Sequence, residues 1–235
     1  MDSDRRGFLK VASLTAVGVA GATLVGDEGA ALASEPKAGA RRWAMVIDPR
    51  KCLREDGCTA CVAACHRAHN VPEIPNPKHE VKWIWKERYT EAFPDQEAHY
   101  IDEALTSRPV LVFCNHCDNP PCVTCCPTGA SHVEDFGKTV QVTANQCIGC
   151  KACLAACPYG ARFVHPDGYA DKCTFCLHRV KEGKDPACVS VCPTHCMAFG
   201  DLDDPKSEVS RLLASRKYHT LLPEAGTKPR VFYLT

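Results

Sequence analysis

Cys147-Ile148-Gly149-Cys150-Lys151-Ala152-Cys153-Leu154-Ala155-Ala156-Cys157-Pro158 reads C-x2-C-x2-C-x3-C-P. Three cysteines two residues apart can curl around one corner of a cubic [4Fe–4S] cluster. The fourth lies about one helical turn further on, points away, and suits the second cluster of a pair. The proline closes the run because its ring fixes φ and removes a backbone donor. Half of a pair implies another half, and the remaining cysteines supply three more groups.

Cys52, Cys58, Cys61 and Cys65 form the first, with gaps of five, two and three residues and His66 where a proline would stand. Cys114, Cys117, Cys122 and Cys126-Pro127 form the second, with gaps of two, four and three. The C-x3-C-P ending selects Cys126 over its neighbour Cys125. Cys173, Cys176, Cys188 and Cys192-Pro193 form the fourth, with gaps of two, eleven and three. Sixteen of the 18 cysteines are used, and Cys125 and Cys196 are left over. Zinc sites need pairs of Cys or of Cys and His, and nothing about them makes the fourth-Cys-then-Pro ending recur. The regular gaps and the adjacent pair Cys125 and Cys126 suit ligation better than a disulfide framework.

Ligand sets follow from lending three cysteines of a group to one cluster and the fourth to its partner. The inner sets are Cys114, Cys117, Cys122 with Cys157, and Cys147, Cys150, Cys153 with Cys126. The outer sets are Cys52, Cys58, Cys61 with Cys192, and Cys173, Cys176, Cys188 with Cys65. Nothing in the spacing excludes another partner for Cys65. The fold class expected is α+β: two interleaved 2[4Fe–4S] units with short strands, short helices and long loops. The inner unit spans about 109–168, the outer unit about 43–108 plus 169–200, and 201–235 is a C-terminal extension.

The chain of 235 residues carries 28 basic and 28 acidic side chains, so nothing suggests a nucleic-acid surface. Hydrophobic residues make up 45%, but Cys and Ala supply much of that. An apolar core alone would be thin, and metal–ligand bonds are the expected supplement. Residues 1–33 read as an export signal. Asp4-Arg5-Arg6-Gly7-Phe8-Leu9-Lys10 resembles a twin-arginine motif, a weakly apolar run follows, and Ala31-Leu32-Ala33 is a cleavage site. An uncleaved anchor is the rival reading. The twin-arginine route moves folded proteins, which suits a protein that gains metal before export. After residue 33 there remain 25 basic and 24 acidic residues. Four oxidised clusters of about −2 each bring the total to about −7. Arg67, Lys151, Lys172 and Arg179 are the cations expected to offset charge near sulfur.

Trp43–Asp48 reads as a strand, Cys58–Ala68 as a short helix, and Val81–Trp85 as a strand with both Trp on one face. That last strand lies in a proline-containing insertion, 70–108, expected to cover a cluster site. Val110–Phe113 is a further strand, Val133–Val142 a hairpin turning near Phe136-Gly137, and Ala161–Val164 a short strand. Ser207–Ser215 reads as a helix and Val231–Leu234 as a last strand. No long apolar segment near the C-terminus suggests an anchor. No Ser–His–Asp order, phosphate loop or paired-carboxylate site stands out. With sixteen cysteines completing four sites, no iron is left open and no histidine is needed as ligand, which favours electron transfer over catalysis.

Cys-Asn-His-Cys-Asp-Asn-Pro-Pro-Cys at 114–122, Cys-Ile-Gly-Cys at 147–150 and the four-group layout resemble the four-cluster electron-transfer subunits of complex iron–sulfur molybdoenzymes. Within these, the twin-arginine signal, Gly57-Cys58-Thr59-Ala60-Cys61, Ala64-Cys65-His66-Arg67-Ala68-His69-Asn70-Val71-Pro72 and Val81-Lys82-Trp83-Ile84-Trp85-Lys86 look like the periplasmic subunit of the Dsr transmembrane complex, the DsrO type. The resemblance implies a periplasmic electron relay in dissimilatory sulfur metabolism, without its own membrane anchor once the signal is cleaved. It implies an NrfD-type polytopic quinone-interacting membrane protein, a multihaem cytochrome c and other complex subunits as partners. Polysulfide, tetrathionate, nitrite or hydrogenase-linked reductases are the alternative setting, and a stand-alone iron–sulfur enzyme or a zinc- or disulfide-stapled binding module are the other classes.

Overall fold

The structure, a computed structural model, describes residues 41–52, 57–96, 103–106 and 109–235. The export-signal reading of residues 1–33 lies outside them. The strands are β1 (Trp43–Ile47), β2 (Ile84–Arg88), β3 (Pro109–Phe113), β4 (Ser131–Val133), β5 (Val140–Val142), β6 (Phe163–Val164), β7 (Ala170–Asp171), β8 (Met197–Asp201), β9 (Tyr218–His219) and β10 (Val231–Leu234). Mixed short helices and strands make the fold α+β.

A four-stranded sheet of order β8-β1-β10-β9 organises the molecule. β1 runs antiparallel to β8 and parallel to β10, with Met45 opposite Val231 and Ile47 opposite Tyr233. Ala44 to Ile47 are all buried because both faces of β1 are covered. On one face Met45 and Ile47 pack with Val231, Tyr233 and Leu111 in the main core. On the other, Ala44, Val46 and Leu234 meet Val209, Leu212 and Leu213 of the helix Glu208–Ser215. Ser207 caps that helix, its hydroxyl accepting the Ser210 N–H at 3.1 Å.

Segment 201–235 therefore supplies the sheet with two strands and one of its covers. It also laces the sheet to the loops beyond. Arg230 is fully buried and donates to the carbonyls of His116 (2.6 Å), Gly137 (3.0 Å) and Lys138. The Arg230 N–H donates to the Asn115 carbonyl, and those of Asp118 and Asn119 donate to the carbonyls of Lys228 and Thr227.

Three two-stranded ribbons, β2–β3, β4–β5 and β6–β7, carry the remaining loops. The expected strand Val81–Trp85 begins only at Ile84. Ile84 pairs with Phe113, the last residue of β3, and Cys114 beyond it turns into a cysteine loop, so residues 81–83 have no ladder partner. Trp83 is instead fixed by its indole N–H donating to Asp171 Oδ2 at 2.8 Å. The main core is threaded with thiols: Cys61, Cys65, Cys192 and Cys196 are buried among Leu111, Phe113, Phe175 and Tyr233.

Candidate metal centres

The second x of three C-x2-C loops is left-handed: His116 (φ 43), Gly149 (φ 66) and Phe175 (φ 53). This doubles the backbone over, and in the loops of His116 and Phe175 both cysteines line one cavity. At His116 and Phe175 the conformation costs about 1–2 kcal/mol each, held by packing: their rings stack at 3.8 Å in the core. At Gly149 a Cβ would lie 2.5 Å from the Gly168 carbonyl, so only glycine fits.

Three cavities are ringed by cysteines. Cys52, Cys58, Cys61 and Cys192 line the first, with Cys196 among them. Cys65, Cys173, Cys176 and Cys188 line the second. Cys114, Cys117, Cys122 and Cys157 line the third. Of the remaining predicted ligands, Cys153 lies in a small core with Cys122, Val140 and Ala170, against which Cys147 packs; Cys126 is half-buried and Cys150 exposed. All eighteen cysteines are free of disulfides.

Backbone donors are aimed at these sulfurs, as the thiolates of a bound cluster would require. Phe175 N–H donates to Cys173 Sγ (3.4 Å), Ala187 N–H to Cys176 Sγ (3.4 Å) and Ala170 N–H to Cys147 Sγ (3.3 Å). Ser131 N–H donates to Cys126 Sγ at 3.4 Å and lowers that thiol to about 7. The neighbouring Cys125 sends its own Sγ toward the Cys122 carbonyl, and burial raises it. Burial pushes Cys61 up to about 11 and Cys65 and Cys117 up to about 12, and it raises Cys122, Cys157, Cys173, Cys176 and Cys188 as well. A cationic metal must displace those protons, so metal binding and thiol ionisation are one event.

The donor set fits an iron–sulfur cluster better than a single ion. Among the described residues no three of His, Cys, Asp or Glu could share one metal ion, as a zinc site would need. Two buried donors without a protein partner, Asn115 Nδ2 and Arg162 Nε, belong to residues lining the third cavity, where anionic sulfur would satisfy them.

Side chains that spacing did not single out complete the centres. Arg162, 4% exposed, donates from Nη2 to Cys122 Sγ at 3.0 Å and from Nη1 to Ser131 Oγ at 2.7 Å. His69 Nε2 lies 3.0 Å from Cys176 Sγ with its ring 4.1 Å from that of Trp83, so the insertion does cover this cavity. Burial lowers His69 to about 4, leaving the ring neutral. Of the four cations expected near sulfur, Lys172 is buried, donating to the carbonyls of Cys173 (2.7 Å) and Val140. Arg67 and Lys151 are exposed, and Arg179 is held by the Asp185 carbonyl.

Cysteine loops on short helices and ribbons, with inward backbone donors, define a ferredoxin-type iron–sulfur electron carrier. A family model for a 4Fe-4S dicluster domain matches residues 110–202. Protein NrfC of Escherichia coli (strain K12) is 40% identical over 221 residues, covering 93% of this chain and 92% of that one. A subunit of the tetrathionate reductase of Salmonella typhimurium is 37% identical, covering 100% and 89%, and a component of the polysulfide reductase of Wolinella succinogenes is 40% identical, covering 82% and 94%. This protein belongs to their family of ferredoxin-like iron–sulfur subunits, within the complex iron–sulfur molybdoenzymes. It is a [4Fe–4S] electron-transfer subunit of a respiratory reductase complex, not the catalytic subunit.

Proposed function

We propose that the chain holds four [4Fe–4S] clusters and relays electrons between a quinone-interacting membrane protein of the NrfD type and other redox partners. The observation that supports the count is the ring of four cysteines around each of three cavities, with Cys147 and Cys153 of the fourth set packed beside Cys122 of the third. The ligand sets are Cys52, Cys58, Cys61, Cys192; Cys173, Cys176, Cys188, Cys65; Cys114, Cys117, Cys122, Cys157; and Cys147, Cys150, Cys153, Cys126. When bound, the clusters supply one-electron carriage. The protein's own part is to fix the thiolates, aim N–H groups at sulfur and keep water away from buried Cys61, Cys65, Cys117 and Cys153.

The protein works in the periplasm, exported folded under the signal of residues 1–33 and held at the membrane by its partners. Its setting is sulfur metabolism of the DsrO type, with a multihaem cytochrome c as a further partner. A terminal reductase for tetrathionate or polysulfide is the second reading, supported by 37–40% identity to components of those two enzymes. Anaerobic iron and acid-labile sulfide analysis tests the count: about sixteen irons per chain are expected. Half that number, or zinc, overturns it. Purification from native membranes tests the setting. Co-elution of a multihaem cytochrome supports the first reading and a molybdenum-containing catalytic subunit in its place supports the second, while an NrfD-type protein fits either.

A further inference from the structure

Two turns in this protein follow similar courses, and one carries a buried sulfur that the other lacks. Cys126-Pro127-Thr128-Gly129-Ala130 and Cys192-Pro193-Thr194-His195-Cys196 each end a cysteine group. In each, the threonine hydroxyl lies close to the cysteine sulfur, at 3.7 Å for Thr128 and 3.6 Å for Thr194. In each, the third residue after the cysteine is left-handed, with φ 69 at Gly129 and φ 48 at His195. In each, a backbone N–H just beyond donates to that sulfur at 3.4 Å, from Ser131 in one and Cys196 in the other. The fourth position is Ala130 in the first turn, 1% exposed, so a methyl group is all that the space requires. In the second turn it is Cys196, 3% exposed.

The added sulfur does not point away from the site. Cys196 Sγ lies 3.4 Å from Cys192 Sγ and lines the same cavity as Cys52, Cys58, Cys61 and Cys192. Five thiols therefore face a space for which a cube offers four corners. The fifth is left over from the ligand set, with its sulfur against that of Cys192. A thiol is a weak donor, but here its acceptor is a ligand thiolate in a water-poor interior, where such bonds strengthen.

We propose that Cys196 is a tuning residue, not a ligand: it gives its single S–H to Cys192 and so raises the reduction potential of the cluster that Cys192 helps to hold. The proposal rests on reading Cys52, Cys58, Cys61 and Cys192 as one ligand set. The physical basis is that a hydrogen bond to a ligand sulfur stabilises the more negative, reduced cluster more than the oxidised one.

The test is anaerobic potentiometric titration of the full chain, read by electron paramagnetic resonance, for wild type, Cys196→Ala and Cys196→Ser. All three should carry the same iron and sulfide. In Cys196→Ala one midpoint potential should fall while the other three stay, and Cys196→Ser, with an O–H in the same place, should restore it at least in part. Unchanged potentials in Cys196→Ala would overturn the proposal. So would loss of one cluster's iron from that variant, since Cys196 would then be a ligand. The iron count of the wild type is measured first. A shortfall there sinks the four-cluster reading itself, and is distinct from a full count with an unmoved potential.

Discussion

Arg162 shows how much of a metal centre can rest on a side chain outside its ligand motif. It stands five residues after Cys157, in a stretch whose spacing gives no reason to choose it, and reaches Cys122 Sγ only because the chain folds back across the cavity. A bond to sulfur from a buried guanidinium is charge-assisted, of the kind worth about 2 kcal/mol. Arg162→Gln should therefore lower the potential of the cluster at Cys114, Cys117, Cys122 and Cys157, by at most roughly 90 mV, the whole of that energy expressed for one electron. Redox titration should show one of the potentials moved and the iron content kept. A second check at this scale concerns the adjacent pair. Cys126 receives the Ser131 N–H and Cys125 does not, so Cys125→Ala should keep the full iron content. Cys126→Ala should lose about a quarter of it, one cluster in four; the reverse pattern would exchange their roles. The ligand candidates were legible because cluster loops need cysteines at fixed spacing. Arg162, His69 and Cys196 were not, because their nearness to sulfur is made by contacts between distant parts of the chain.

At the scale of elements, legibility followed local punctuation. The hairpin around Phe136-Gly137 was readable from its turn, and the helix Glu208–Ser215 from its run ending at Ser215. Ser207→Ala should remove the cap that accepts the Ser210 N–H and lower stability by about 1 kcal/mol, measured as a lower melting temperature with clusters intact. Strand β8 escaped notice because Met197 follows the cysteine turn directly, with no break, and carries Gly200 inside it. The strand expected at Val81–Trp85 was displaced by its partner's length, since β3 ends at Phe113 and nothing pairs with the residues before Ile84. Gly137 marks a second element-scale dependence: a Cβ there would sit 1.8 Å from Trp43 Cδ1. Gly137→Ala should force the indole off Phe199, against which it stacks at 5.2 Å, and cost about 2 kcal/mol or more; thermal unfolding against the wild type measures it.

For the whole molecule, the thiols are part of the core, not attachments to it. Cys61, Cys65, Cys192 and Cys196 pack among Leu111, Phe113, Phe175 and Tyr233, so an emptied site is a fault at the centre. Removing iron with a chelator under reducing conditions should collapse near-ultraviolet dichroism and open the chain to protease, and a fully native apo spectrum would contradict this. The α+β character was foreseeable from the short strands and helices read along the sequence; the central sheet was not, because its middle pair joins the two ends of the described chain. β1 and β10 lie side by side and parallel, with Val46 opposite Phe232. Synthesis runs from the N-terminus, so β1 waits for β10 until the whole stretch from Asp48 to Arg230 has been made. A nascent chain halted anywhere before Val231 has a sheet without its second strand and cannot seal the core around its thiols. Strand β10 thus ties closure of the core around the thiols to synthesis of the whole stretch that separates it from β1.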